Sequence, residues 1–163
     1  MALSYGKSSP GDVLAKARRD LERLKKAESA EDAKVMSDAL FDLAVVLTGL
    51  KDWLAKHPGA PYTRKDVENY WAASLALSAF RDIANAGKHR TITKYAPTTA
   101  DALTSAPSSP LTVLESIAKK VGRGKKYPRL KVIRADGSRH RAIDLGEAAL
   151  SECTSFMSKH GVT

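Results

Sequence analysis

The sequence contains little of what export, disulfide bonding or membrane insertion would require. It has one cysteine in 163 residues, so no internal disulfide is available, and Cys153 lies in a helical pattern where a buried, unreactive thiol is expected. The longest uninterrupted apolar stretch, Leu43 to Leu47, is far shorter than the roughly 20 residues of a membrane span. The first residues also lack the apolar core of an export signal. These absences predict a cytoplasmic protein with no membrane partner.

Sequence motifs of common metal and cofactor sites are missing as well. The four histidines are scattered, and no HExxH pair, GxGxxG loop or GxSxG motif occurs. The stretch from Gly122 to Lys126 lacks the spacing of a phosphate-binding loop, and we expect a basic turn there. The sequence therefore predicts neither a metal ion nor another cofactor.

Amphipathic helices dominate the first part of the chain, and the apolar content of 43% suits a single domain spanning residues 1–163. The first helix is predicted to begin after Ser9 and to run to about Lys26. The second follows Ser29 and carries a stripe at alternating spacings of four and three residues, which is typical of helix packing. The stripe comprises Met36, Leu40, Leu43, Leu47, Leu50 and Leu54. Both tryptophans are predicted to belong to the core.

A third helix has a strong predicted start, with Thr63 as the N-cap and Asp66 completing a capping box. We expect it to continue to Ala86 and to end at Gly87 in a left-handed conformation. The run from Tyr70 to Phe80 is apolar or small on nearly every side, which indicates either a central helix or the contact surface of a homo-oligomer. Residues 9–90 are thus predicted to form a three-helix core.

The following segment changes in composition. Residues 91–110 are rich in Ser, Thr and Pro, which predicts a surface connection. Residues Leu111 to Val121 favour a short helix, with a strand as the alternative. A basic hairpin and a C-terminal helix are predicted to complete residues 111–163.

The hairpin is predicted around the dipeptide Asp136-Gly137, which favours a two-residue turn. This register places Leu130 opposite Ile143 and Val132 opposite Arg141. The last helix is then expected to be capped by Asp144 and Glu147 and to stop at Gly161. The predicted fold is mainly α, an antiparallel helical bundle with a small β-hairpin before the C-terminal helix.

The net charge of +9 is unevenly distributed. Residues 1–60 are nearly neutral, whereas residues 119–141 hold ten basic residues and one acid. Such a local excess favours RNA or another polyanion as a partner, although a solvated surface is the structural alternative. The residues predicted to contact nucleic acid are Lys88, Arg90, Arg123, Lys125, Lys126, Arg134, Arg139 and Arg141.

A cluster of polar residues at the end of the third predicted helix is the best candidate for a catalytic site. Asp82 and Asn85 are neighbours on a helix, and Arg81 lies four residues before Asn85. His89 follows the helix, where the negative end of the helix dipole favours the protonated ring. The alternative is that Asp82 and Asn85 satisfy backbone groups and His89 is exposed and idle.

The segment from Arg81 to His89 resembles the D-x-x-N-x-x-K-H signature of uncharacterised bacterial and phage proteins built of helices, a hairpin and a last helix. An arginine, a polar neighbour and a downstream histidine late in one helix are similar, more distantly, to the HEPN superfamily. Its members include metal-independent ribonucleases, often dimeric, in toxin and phage-defence systems, and also non-catalytic proteins.

The resemblance implies a division of roles. His89 would act as general acid or base on an RNA 2′-hydroxyl or leaving oxygen, and Arg81 would stabilise the phosphate charge. Asp82 and Asn85 would orient these two groups. The implied partners are RNA, an antitoxin-like protein and a second copy of the chain. Two other functions stay open, namely a non-catalytic binding module acting through the hairpin tip and an assembly protein of a mobile element.

Overall fold

The computed structural model describes residues 8–88 and 129–163, which are mainly helical with one antiparallel hairpin before the C-terminal helix. This confirms the predicted fold class. The predicted connection at 91–110 and the helix or strand at 111–121 lie outside the described residues. None of the helices in the described ranges has both the length and the apolar character of a membrane span. The elements are α1 (Pro10–Ser29), α2 (Ala33–Ala55), α3 (Arg64–Ala73), α4 (Leu75–Lys88), β1 (Lys131–Ile133), β2 (Arg139–Arg141) and α5 (Ala142–Lys159).

Helices α1 and α2 share the largest interface between elements and begin at well-defined caps. The predicted start of α1 is confirmed, because the Ser9 side chain accepts from the Asp12 N–H and Asp12 accepts from the Ser9 backbone. Ser29 is the last residue of α1, and Asp32 is the N-cap of α2. The predicted stripe of α2 is buried except for Leu40, which packs against the core.

One predicted core residue of α2 lies at the surface. Trp53 is 37% exposed and borders a concavity of about 420 Å³ between the end of α2 and the start of α1. It stands next to the buried Leu54 on the helix, at the edge of the face that α1 covers. The prediction of a buried tryptophan is confirmed for Trp71 and wrong for Trp53.

The third predicted helix is two helices, because Ser74 interrupts it. Ser74 is extended, with φ −79° and ψ 129°, and its N–H still donates to the Tyr70 carbonyl at 3.2 Å. Its Oγ accepts from the Leu77 N–H at 2.9 Å, so the residue ends α3 and caps α4. Serine favours such local hydrogen bonds to the backbone. The apolar pattern continues across Ser74, so the pattern alone does not predict the break.

Gly87 does not end the helix in a left-handed conformation, contrary to the prediction. It lies inside α4, and the described glycines with positive φ are Gly59, Gly137 and Gly161. A Cβ built on Gly87 would lie 2.1 Å from a ring atom of Phe41. The glycine therefore permits close approach between α4 and α2.

The hairpin register is shifted by one residue from the prediction. Its observed pairs are Lys131 with Arg141, Val132 with His140, and Ile133 with Arg139. The loop has three residues, 135–137, and closes with the Arg134 N–H donating to the Ser138 carbonyl at 2.9 Å. Position 137 is a glycine with φ +82°, the left-handed residue that such a three-residue loop requires.

Ile143 lies in α5 and therefore does not pair with Leu130 in the hairpin, contrary to the prediction. Helix α5 follows β2 directly, with Arg141 as N-cap and no side-chain cap, so the predicted capping by Asp144 and Glu147 is wrong. The predicted end at Gly161 is confirmed by its φ of +63°. The burial of Cys153 is confirmed as well.

Helix α4 is covered on most sides by α2, α3 and α5. Its apolar side chains Leu77, Phe80 and Ile83 are buried in the core. Most of the large apolar side chains of this region are therefore buried within one chain, whereas Leu75 is 46% exposed. The homo-oligomer stays a prediction.

Candidate functional site

The middle of α4 holds a buried ion pair. The Asp82 carboxylate is 2% exposed, and its Oδ1 accepts from Arg81 Nε at 3.3 Å and Nη2 at 3.1 Å. The Arg81 side chain is 18% exposed. A buried carboxylate requires a charged or hydrogen-bonded partner, and an arginine fork supplies both. The pair therefore holds the Arg81 guanidinium in a defined place at the edge of the bundle.

A polar stripe runs along α4 through this pair. Ser78 lies four residues before Asp82, and Asn85 three residues after it, so the three side chains share one side of the helix. Ser78 and Asp82 are buried, whereas Asn85 is half-buried. The stripe does not continue into α3, because Ser74 separates the two helices and Leu75, the first residue of α4, is 46% exposed.

Arg134 of the hairpin reaches the same stripe. Its Nη1 donates to the Leu75 carbonyl at 3.0 Å and to Ser78 Oγ at 3.2 Å, and Ser78 Oγ donates in turn to the Leu75 carbonyl. Sequence reasoning placed Arg134 at a separate hairpin tip. No local pattern could join residues 56 positions apart, so this association was missed.

The other two hairpin arginines differ from Arg134 and from each other. Arg141 pairs with the buried Glu28 of α1 and with Asp144 of α5. The hydrogen bond to Glu28 raises the pKa of Arg141, which keeps its charge. Arg139 is exposed and makes no ion pair or hydrogen bond within residues 8–88 and 129–163. Of the three, only Arg134 contacts α4 through the hydrogen bonds described.

The remaining predicted site residues lie at or beyond the described boundary. Lys88 is the last residue of α4. The others, His89, Arg90, Arg123, Lys125 and Lys126, lie outside the described residues. The structure pairs Arg81 with Asp82, places Ser78 and Asn85 one turn before and one turn after Asp82 on the same helix, and brings Arg134 of the hairpin to Ser78. We call these five residues the α4 site.

The chemistry of the α4 site is that of oriented hydrogen-bond donors. It contains two guanidinium groups, one carboxylate, one amide and one hydroxyl, which suits an anionic oxygen better than a metal ion. In the part of the chain that the structure describes, no group of three or more His, Cys, Asp or Glu residues is arranged to hold a metal ion.

Comparisons with family models, curated proteins and solved structures found no match to this chain. The function is therefore inferred from the residues of the α4 site and from the sequence that follows it.

Proposed function

We propose that this chain binds RNA at the α4 site and cleaves it as a metal-independent ribonuclease. The observation that carries the proposal is the buried Asp82 carboxylate, which holds Arg81 in place near the middle of α4. An arginine fixed in this way is prepared to stabilise charge on a phosphate without reorganisation during the reaction. The next ionisable residues along the chain are Lys88 and His89.

In the proposed reaction, His89 transfers a proton to or from the RNA 2′-hydroxyl or the leaving oxygen. Arg81 stabilises the negative charge that develops on the phosphate, and Asp82 acts through Arg81 as a positioning residue. Asn85, one turn further along α4, supplies an amide that can orient either group. The assignment to a toxin or phage-defence system with an antitoxin-like partner is supported by the resemblance to the HEPN superfamily alone.

The test is cleavage of single-stranded RNA in the presence of EDTA. Wild type is expected to cleave, and His89→Ala is expected to lose cleavage while retaining its circular dichroism spectrum and unfolding temperature. His57→Ala is the matched control, because His57 lies after α2 and outside the α4 site. Full cleavage by His89→Ala, or no cleavage by wild type, would reject the proposal.

A non-catalytic binding module is the second candidate function. The exposed Arg139, which has no partner within the described ranges, favours it. Of the 27 basic residues, 19 lie in the described ranges together with 16 of the 18 acids, so most of the positive excess lies in the rest of the sequence. This candidate predicts RNA binding that weakens with salt and with Arg139→Glu, without cleavage by wild type. Binding that is insensitive to salt would contradict it.

A further inference from the structure

We propose that two members of the α4 site, Arg134 of the hairpin and Arg81 of α4, form a single phosphate-binding site. Identifying the phosphate as that of an RNA strand rests on the proposed function. The binding of a phosphate group itself is inferred from the hydrogen bonds that orient the two arginines on α4. The sequence predicted two separate surfaces, a helix-end cluster and a basic hairpin, and the structure places an arginine of the second surface on the first.

One side of the Arg134 guanidinium is fixed and the other is available. Nη1 uses its two N–H groups on the Leu75 carbonyl and on Ser78 Oγ. Nε and Nη2 make no hydrogen bond to any residue in the described ranges. Three N–H donors therefore remain. A guanidinium that is already oriented loses less entropy on binding a phosphate, and its planar fork can bind two phosphate oxygens at once.

The two arginines meet α4 about one helical turn apart. Arg134 is bonded at Ser78, and Arg81 is bonded at Asp82, four residues later. Four residues span about 6 Å along a helix. The two guanidinium groups are therefore bonded to side chains on the same side of α4, one helical turn apart.

Two carboxylates belong to the surroundings of these arginines. Asp82 is already paired with Arg81. Asp136, in the hairpin turn, accepts from the Ser138 N–H at 2.8 Å, and the Ser138 hydrogen bonds lower its pKa, with a smaller contribution from the charge of Arg134. Asp136 is thus ionised at neutral pH and weakens phosphate binding at Arg134. Asp136→Asn keeps the acceptor oxygen of the turn and is expected to raise phosphate affinity severalfold.

The experiment measures the affinity of the full chain for inorganic phosphate, at constant ionic strength, by isothermal titration calorimetry. Wild type is expected to bind phosphate, and Arg134→Ala to weaken binding at least tenfold. Arg134→Lys, which keeps the charge but loses the planar fork, is expected to fall between them. The control is Arg18→Ala, because Arg18 also donates to a single hydroxyl on another helix, that of Thr154, but lies away from α4.

Folding is checked separately, because Arg134→Ala removes two hydrogen bonds between the hairpin and α4. The unfolding temperature of each variant is measured in chloride buffer, and phosphate affinity is compared at a temperature where all variants are folded. If Arg134→Ala proves unstable, the other two variants still test the site, because Arg134→Lys is expected to lower phosphate affinity and Asp136→Asn to raise it. Phosphate affinity that is equal in wild type and in all three hairpin variants overturns the inference, as does absence of phosphate binding by wild type.

An RNA arm separates this inference from the proposed function. For a single-stranded RNA, the slope of log affinity against log salt concentration is expected to become shallower in Arg134→Ala, by the amount that corresponds to about one phosphate contact. Phosphate binding through Arg134 without cleavage by wild type would support the inference and reject the ribonuclease. Cleavage by wild type, with phosphate and RNA affinity unchanged in Arg134→Ala, would support the ribonuclease and overturn the inference.

Discussion

Two of the buried carboxylates in the described ranges, Glu28 and Asp82, each pair with an arginine, and the two pairs differ in how they connect the chain. Glu28 of α1 meets Arg141 at the hairpin and α5 junction, and these residues are 113 positions apart. Asp82 meets Arg81, its neighbour in the sequence. Both carboxylates are buried, so both would be costly to leave without a counter-charge.

The difference in connectivity indicates that the two ion pairs have different structural roles. The pair of Glu28 and Arg141 joins the first helix to the last third of the chain, and such a long-range contact contributes to tertiary stability. The hydrogen bond between Arg81 and Asp82 closes no loop of the chain, and its evident effect is to orient Arg81. A buried ion pair is weak evidence of net stabilisation, so orientation is the better explanation for the local pair.

The largest expected effect is on folding, from Glu28→Ala. This change leaves Arg141 without its buried partner, and we expect the free energy of unfolding to fall by about 3 kcal/mol. Glu22→Ala is the control, because Glu22 makes an exposed pair with Lys25 and should cost about 0.5 kcal/mol or less. Urea denaturation measures both. Equal losses in the two variants would show that the long-range pair contributes nothing special to stability.

Asp82→Asn tests the local pair and is expected to have a smaller effect on stability. It keeps the shape of the side chain but removes the charge that holds Arg81, and we expect a loss of about 1 to 2 kcal/mol. RNA cleavage per folded molecule should fall at least tenfold, because Arg81 is no longer oriented. Glu28→Gln is the comparison, with some loss of stability but unchanged cleavage. A greater loss of cleavage in Glu28→Gln would reverse the roles assigned to the two pairs.

The capping residues show how much of the fold the sequence could predict. The capping boxes of Ser9 with Asp12 and of Thr63 with Asp66 are local patterns, and both are present. Hydrogen bonds from Thr63 lower the pKa of Asp66, as expected for an ionised capping carboxylate. The break at Ser74 was missed because a serine is compatible with both a helix and a cap, and tertiary packing decides between them.

The candidate site shows where prediction from sequence ends. Arg81, Asp82 and Asn85 lie within two turns of one helix, so helical periodicity was enough to group them. The position of Arg134 depends on the hairpin register and on the packing of the hairpin against α4. A two-residue turn and a three-residue turn differ by one position, which changes the cross-strand partner of every hairpin residue and the face that one strand presents relative to the other. The sequence therefore predicted the members of the helix cluster but not the arginine from the hairpin.

Cys153 differs from Glu28 and Asp82, because it is a buried ionisable group with no cation beside it within the described ranges. Burial raises the pKa of its thiol from 9.0 to about 12, and the charge of Glu152 adds to the effect. The thiol is therefore neutral at physiological pH. We expect slow alkylation by iodoacetamide in the folded protein and rapid alkylation in urea. Alkylation at equal rates in both conditions would show that the thiol is accessible in the folded state.

Titration of the Cys153 thiol is expected to have the smallest of these effects on stability. The direction of the effect follows from the raised pKa of the thiol. Below pH 9 the thiol is protonated in the folded and unfolded states and adds no pH dependence. Above pH 9 the unfolded chain loses the proton while the folded chain retains it, so stability falls, by about 1 kcal/mol at pH 10. Lysines and tyrosines also titrate there, so the measurement is the difference in slope of stability against pH between wild type and Cys153→Ala. A shallower slope is expected in Cys153→Ala, because the variant lacks the thiol that titrates in the unfolded chain only. The buried thiol avoids an unpaired charge by staying neutral, whereas the buried carboxylates of Glu28 and Asp82 are each paired with an arginine.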